Sequence, residues 1–347
     1  MQRRHVSLAV LAAIFIILLV LAPHVLLIVF AGILFAVFLH GGGDWIARKS
    51  GLPHGAGVGV FALVIVLLLV GAISAFAPAM SDQFDELTRQ VPEAADNLRE
   101  RVEDYSWGER LMERASPEGL FSSEGRSAAA TAVTSTFGAL GNAVIILFIG
   151  LYGAIAPSTY RSGVIALVAP SVRQRADEVL DTIGQTLRDW LAAQLMAMTV
   201  VGVLTGIGLW LIGIPLAFLL GLIAALFAFI PNIGPVIAAA PAVLLAIPEG
   251  LTVTLLVIGV YLAVQTIESY VITPLIQQEK VSLPPALIIS AQLLLGVLFG
   301  LIGLALATPI AAVLMTLTRE VYVADYLDRE ATATDLADVP LEDRQLG

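Results

Sequence analysis

Glu268 is an acidic side chain inside an apolar run, and Gln265 stands three residues before it. On a helix that spacing puts both on one face. A charged group held inside a bilayer costs about 2.5–3.5 kcal/mol on insertion scales, so one that is kept there points to proton or cation binding. Gln265 could share such a ligand. The alternative is an interfacial Glu268 that pairs with Lys280 or with a helix N-terminus. Asn232 lies within Pro231-Asn232-Ile233-Gly234-Pro235. There it could donate and accept hydrogen bonds to a polar solute, or satisfy the orphan backbone groups of an interrupted helix. Gln194 and Gln292 are further polar groups in apolar surroundings. Interhelical hydrogen bonds, worth about 0.6 kcal/mol on average, explain them as well as a solute does. With Gly234, these residues are the candidates for substrate or ion binding.

Other chemistries lack their residues. The chain has no cysteine, which removes disulfides, thiol catalysis and Cys-ligated metals. It has no His-Glu-x-x-His, no paired aspartates in apolar runs and no phosphate-cradling Walker sequence. Its four histidines, His5, His24, His40 and His54, all fall early and near loops. The expectation is therefore no enzyme, no cofactor and no metal. A net charge of −10 without a basic patch also argues against nucleic acid.

The elements that must position these residues are membrane helices. Hydrophobic residues make up 58% of the chain and charged residues 13%, with a mean hydropathy of +0.92. Soluble domains hold about 45–50% apolar and about 25% charged residues. A spanning helix needs about 20 apolar residues, because the hydrocarbon core is about 30 Å thick. Such helices are expected over 6–22, 24–40, 57–77, 131–156, 190–212 and 251–272, with Gly41, Gly42 and Gly43 ending the second. The first, preceded by Arg3 and Arg4, reads as a retained helix rather than a cleaved signal, since a second apolar run follows at once.

Two longer stretches remain, 215–247 and 285–318. Each is too long for one comfortable crossing and too short for two. The first is broken by Pro231, Gly234 and Pro235, and the second around Gly300 and Gly303. Each carries Ile-Gly at its middle and then a proline in an Ala-rich run, Pro241 and Pro309, at an offset of about 69 residues. Paired interrupted segments point to a transporter's binding site, because backbone groups freed at membrane depth must be buried in protein or line a wet cavity. Re-entrant hairpins and kinked single crossings are both open. The prediction is an all-α, polytopic integral membrane protein of about eight membrane segments, including two broken or re-entrant hairpins. Residues 1–77 are its N-terminal helices and 131–318 its transport core.

Arg and Lys in short loops place the N-terminus, the 41–56 loop, the 157–189 segment and the C-terminus in the cytoplasm of a cell (inner) membrane. Residues 78–130 then form a polar, helical, extracytoplasmic segment. Within it Phe84, Leu87, Val91, Leu98 and Val102 recur at helical spacing. A second amphipathic helix is expected over 158–189, on the cytoplasmic surface. The acidic tail 319–347 is expected to be disordered. Gly202 and Gly206 form a small-xxx-small pair suited to close helix packing.

Three runs resemble the autoinducer-2 exporter family. The first runs from Gly206 to Pro241 and includes Gly-Ile-Gly-Leu-Trp-Leu-Ile-Gly-Ile-Pro at 206–215 and the Pro231–Pro235 break. The second runs from Gln265 to Leu283 and includes Glu268 and Thr273-Pro274-Leu275-Ile276. The third is Leu298-Phe299-Gly300-Leu301-Ile302-Gly303 with Thr308-Pro309. Asn232, Ala156 and Gln277-Gln278 depart from the family's usual residues. The resemblance implies an eight-helix secondary transporter that exports a small polar organic solute such as an autoinducer-2-like quorum signal of the furanone type. It also implies sodium–proton exchange in some members, and homo-oligomers such as pentamers. A membrane scaffold built on the 81–126 segment is the non-transporting alternative.

Overall fold

A computed structural model describes residues 13, 16–68, 70, 71, 74, 123–247, 249–272 and 284–327. The amphipathic stretch 81–104, Lys280 and the tail from 328 onward lie outside the described residues. Among the described residues the chain is helical, with no strand. Its helices are α1 (Pro23–Ser50), α2 (His54–Leu68), α3 (Ser123–Ile155), α4 (Pro157–Ala166), α5 (Arg173–Ile212), α6 (Ala217–Phe227), α7 (Gly234–Ala246), α8 (Leu251–Ile267) and α9 (Pro285–Leu317).

Four of these elements are long and apolar enough to cross a membrane, or five if the bent α3–α4 pair counts as one span. Three shorter apolar helices, α2, α6 and α7, add to them. The chain is thus a multi-pass helical membrane protein.

Two expected boundaries move. The glycine triplet does not end α1, which runs on to Ser50 and stops at Gly51 in the left-handed conformation (φ 71°). Of the three, Gly43 lies in a close packing contact, whereas nothing approaches a Cβ built on Gly41 within 4 Å. A Cβ on Gly43 would lie 2.8 Å from the backbone nitrogen and Cα of Val58, and one on Gly57 would lie 2.5 Å from the Gly43 carbonyl oxygen. A helix forms through glycine where tertiary packing outweighs its cost of about 1 kcal/mol. The amphipathic stretch 158–189 is not one helix either. Pro157 opens α4 at a 92° bend from α3, and Pro170 begins a short 3-10 turn before α5. Prolines at first helical positions start new helices because their missing N–H is an orphan there anyway. From Arg173 onward, α5 runs unbroken into its apolar half.

The chain forms two compact units. The first comprises Met1–Gly59, Phe148–Gln194 and Leu275–Gly347; the second comprises Val60–Leu147 and Leu195–Pro274. In the first, α1 and the end of α3 cross through small residues. A Cβ on Gly32 would lie 2.5 Å from Ile149, one on Gly153 would lie 3.0 Å from Ala36, and one on Gly150 would collide with the Phe35 ring. Such close approach supplies the dispersion contacts on which helix association in lipid rests. Helix α4 is tied to α5 by Arg161, whose guanidinium forks onto both Asp181 oxygens and donates a third bond to Asp177. After α9 the helix continues with wider π-type turns from Thr318 to Leu327. Glu320 there accepts a hydrogen bond from Arg175 of α5 at 2.8 Å.

In the second unit the apolar half of α5 packs with α6, α7 and α8. Leu209, Leu220, Ala224, Ala238, Ala242, Ala246 and Val257 are fully or almost fully buried. Gly202 and Gly206 meet Gly221 of α6, where a Cβ on Gly221 would lie 2.7 Å from the Gly202 carbonyl oxygen and 2.8 Å from the Gly206 Cα. The small-xxx-small spacing produces the helix crossing it suggests.

Candidate functional site

The first broken segment falls in the second unit. Helix α6 ends at Phe227 and α7 begins at Gly234, with a tight turn between them. The turn is closed by the Ile230 N–H on the Phe227 carbonyl (2.9 Å) and the Gly234 N–H on the Ile230 carbonyl (2.9 Å). Asn232 is exposed and left-handed, with φ at 66°. Asparagine tolerates that conformation better than most side chains. Gly234 is buried, and a Cβ there would collide with the Phe227 carbonyl oxygen. Only glycine lets the start of α7 rest on the end of α6.

Within α7, Pro241 offers no N–H to the Ile237 carbonyl. One residue on, the buried Tyr261 hydroxyl of α8 donates to the Ala238 carbonyl at 3.1 Å. The same helix α8 carries Gln265. Its amide Nε2 donates to Glu268 Oε2 at 2.6 Å and to Ser269 Oγ at 3.3 Å. Gln265 and Glu268 are both half-buried. Glu268 opens a stretch of π-helical turns that runs to Ile272. Turns of this kind loosen the backbone ladder and occur often at functional sites. The predicted pair is therefore in direct contact, with Ser269 as a third member that sequence reasoning missed.

The second broken segment falls in the first unit. Gly300 sits inside α9 with φ 63° and ψ −141°, a conformation available to glycine alone. A Cβ on Gly303 would collide with the Leu295 carbonyl oxygen, and one on Gly296 would lie 2.9 Å from the Leu304 side chain. Eight residues of straight helix span about 12 Å. Leu295 and Gly303 touch because the helix bends sharply at Gly300 and its two halves face one another. Gln292 in the first half is 2% exposed, and Thr308 and Pro309 in the second are buried.

The two interruptions share one construction. In each, the glycine of an Ile-Gly pair, Gly234 or Gly303, meets a carbonyl oxygen of the preceding helical segment, from Phe227 or Leu295. The sequence repeat is thus also a repeat of local geometry. Asn232, Gly234, Gln265 and Glu268 belong to the second unit, and Gln194 and Gln292 to the first. Of these six, the structure joins Gln265 and Glu268 by a hydrogen bond. The alternative partner for Glu268, Lys280, lies outside the described residues.

Sequence reasoning also missed a group of polar side chains in the first unit, formed by His40, Asp44 and His54. The only local signal is the four-residue spacing of His40 and Asp44.

Comparison with known proteins gives a consistent result. The family described as AI-2E family transporter matches residues 8–322. The Bacillus subtilis protein YrrI is 34% identical over 148 residues, which is 43% of this chain and 42% of YrrI. A Mycobacterium tuberculosis relative is 27% identical over 281 residues, 78% of this chain and 75% of that protein. The AI-2 transport protein TqsA of Escherichia coli is 23% identical over 277 residues, 76% of each chain. The matched stretch thus spans less than half of YrrI and about three quarters of the other two.

Proposed function

The chain belongs to the AI-2E family of transporters, and from that membership we propose that it is a secondary transporter that exports a small polar organic solute of the autoinducer-2 class. Its two broken segments, 215–247 and 285–318, are proposed as paired re-entrant gates of a cell-membrane protein with cytoplasmic termini, assembled as a homo-oligomer. The observation that carries the reading is the shared construction of the two breaks, Gly234 on the Phe227 carbonyl and Gly303 on the Leu295 carbonyl. Matched breaks of this kind are what alternating access around a fixed site uses, since each can move as a unit. Asn232, beside the first apex, supplies a donor and an acceptor for hydroxyl and carbonyl groups of the solute. The name of TqsA, an AI-2 transport protein, supports the solute class.

The bonded group Gln265–Glu268–Ser269 favours a second reading, sodium(cation)/proton antiport. A carboxylate held by an amide at the end of an apolar helix can exchange a proton for a cation. Proteoliposomes separate the two readings. Uptake of the furanone signal without sodium movement supports export of the organic solute. Sodium movement driven by a pH gradient, with no flux of the furanone, supports the antiporter and removes the first reading.

A further inference from the structure

Outside the broken segments, one group of side chains among the described residues is built like a ligand set. His40 and Asp44 lie one turn apart on α1, and His54 opens α2. His54 Nδ1 lies 2.7 Å from Asp44 Oδ1, and His40 Nε2 lies 3.4 Å from Asp44 Oδ2. The two rings stand 4.4 Å apart, centroid to centroid. Their other nitrogens converge on one acceptor, the Ala154 carbonyl of α3, at 3.3 Å for His40 Nδ1 and 3.1 Å for His54 Nε2.

All four ring nitrogens therefore face an oxygen that can only accept. Two neutral imidazoles carry two N–H protons between them. The arrangement is therefore two donors short. Either two extra protons supply them, or one divalent cation does, seated between the inner ring nitrogens and the carboxylate. The second solution matches a recurrent pattern in metal proteins. The ligating nitrogen of each histidine faces the ion, and the opposite N–H donates to a backbone carbonyl that fixes tautomer and ring orientation. Here one carbonyl, with two lone pairs, holds both rings.

The dimensions agree. Tetrahedral ligands about 2.1 Å from a zinc-class ion stand about 3.4 Å from one another. The three ligand atoms already lie within 4.8 Å of each other. The side chains of His40, Asp44 and His54 are 27%, 37% and 31% exposed, so an ion and a water in the fourth position can reach them from solvent. Two imidazoles with one carboxylate suit a borderline divalent ion such as zinc rather than magnesium or calcium, which take oxygen ligands.

We propose that His40, Asp44 and His54 form a binding site for a zinc-class divalent metal ion, which fastens the α1–α2 hairpin against the end of α3. The site is separate from the broken segments and does not depend on which solute the protein carries.

The test uses full-length protein without a polyhistidine tag, stripped with chelator and kept in detergent. It is titrated with Co²⁺ and followed by visible absorption, then displaced with Zn²⁺. The proposal expects one Co²⁺ per chain with the absorption of a tetrahedral N/O site. Affinity should fall about tenfold or more in His54→Ala and in Asp44→Asn, and should not change in His24→Ala. Should His54→Ala fail to stay monodisperse, diethyl pyrocarbonate modification of wild type, mapped by mass spectrometry, gives the second readout. Zn²⁺ should protect His40 and His54 but not His24. No stoichiometric Co²⁺ binding would overturn the proposal, as would binding undiminished in both variants or absence of Zn²⁺ protection. Uptake of two protons in place of Co²⁺ would assign the cluster to a proton-filled network and overturn it equally.

Discussion

Gly303 rests directly on the carbonyl oxygen of Leu295, eight residues earlier in the same helix. That contact requires the sharp bend at Gly300 and leaves no space for a side chain. The equivalent contact, Gly234 on the Phe227 carbonyl, closes the other break. Alanine at either glycine must push backbone away from backbone. Gly234→Ala and Gly303→Ala should each destabilise the protein by about 1–3 kcal/mol, the usual range for overpacking. Thermal unfolding in detergent measures this. An unchanged melting temperature in both would mean that the two halves of each segment do not pack as described.

Conformation, rather than space, limits Gly300 and Asn232. Among the described residues, nothing beyond its chain neighbours and its own helix backbone lies within 4 Å of a Cβ built on Gly300, yet its φ of 63° with ψ −141° strains any side chain. Gly300→Ala should therefore cost about 1–3 kcal/mol through backbone strain alone. Asn232→Gly should preserve stability, and Asn232→Val should lower it, because a β-branched residue resists the left-handed region. Equal melting temperatures for the two Asn232 variants would contradict the observed φ.

Tyr261→Phe removes one buried hydrogen bond to the Ala238 carbonyl. The expected loss is about 0.5–1.5 kcal/mol. Thr205 presents the opposite case. It is fully buried in α5, and its hydroxyl has no hydrogen-bond partner among the described residues. Thr205→Val keeps the shape and relieves a desolvation cost of about 1–3 kcal/mol. It should raise the melting temperature, while Tyr261→Phe lowers it. A destabilised Thr205→Val would show that the hydroxyl is bonded after all.

The membrane path of the second segment can be read chemically, because the chain has no cysteine and single-cysteine variants carry no background. Leu283→Cys and Arg319→Cys flank 285–318. A re-entrant segment leaves both on one side, so an impermeant maleimide should label both in inverted vesicles and neither in intact cells. Labelling from opposite sides would make the segment a kinked single crossing.

Much of this architecture is legible in the sequence, for reasons that differ by residue. Pro231 and Pro235 announce a break because proline lacks the helical N–H, and α6 and α7 part there as expected. The glycine at the second break is also legible, though only the folded structure shows that Gly300 turns the chain and Gly303 seats it. Gly41, Gly42 and Gly43 mislead for the converse reason. Glycine weakens a helix locally, and here the packing of Gly43 against Val58 and Gly57 outweighs that preference. The Gln265–Glu268 pair follows from helical spacing alone. The His40–Asp44–His54 group does not, since the α1–α2 hairpin brings in His54 and α3 supplies the Ala154 carbonyl from a hundred residues away. Contacts made by tertiary folding leave no periodic trace.

The proposed transport of a small polar solute is tested most directly by flux of the furanone signal in proteoliposomes of wild type, Asn232→Ala and Glu268→Gln, each checked for normal assembly. Wild type should carry the solute and Asn232→Ala should lose that flux, with Glu268→Gln showing whether a proton or cation is coupled to it. Flux in Asn232→Ala equal to wild type, or no flux in well-folded wild-type protein, would contradict the proposal.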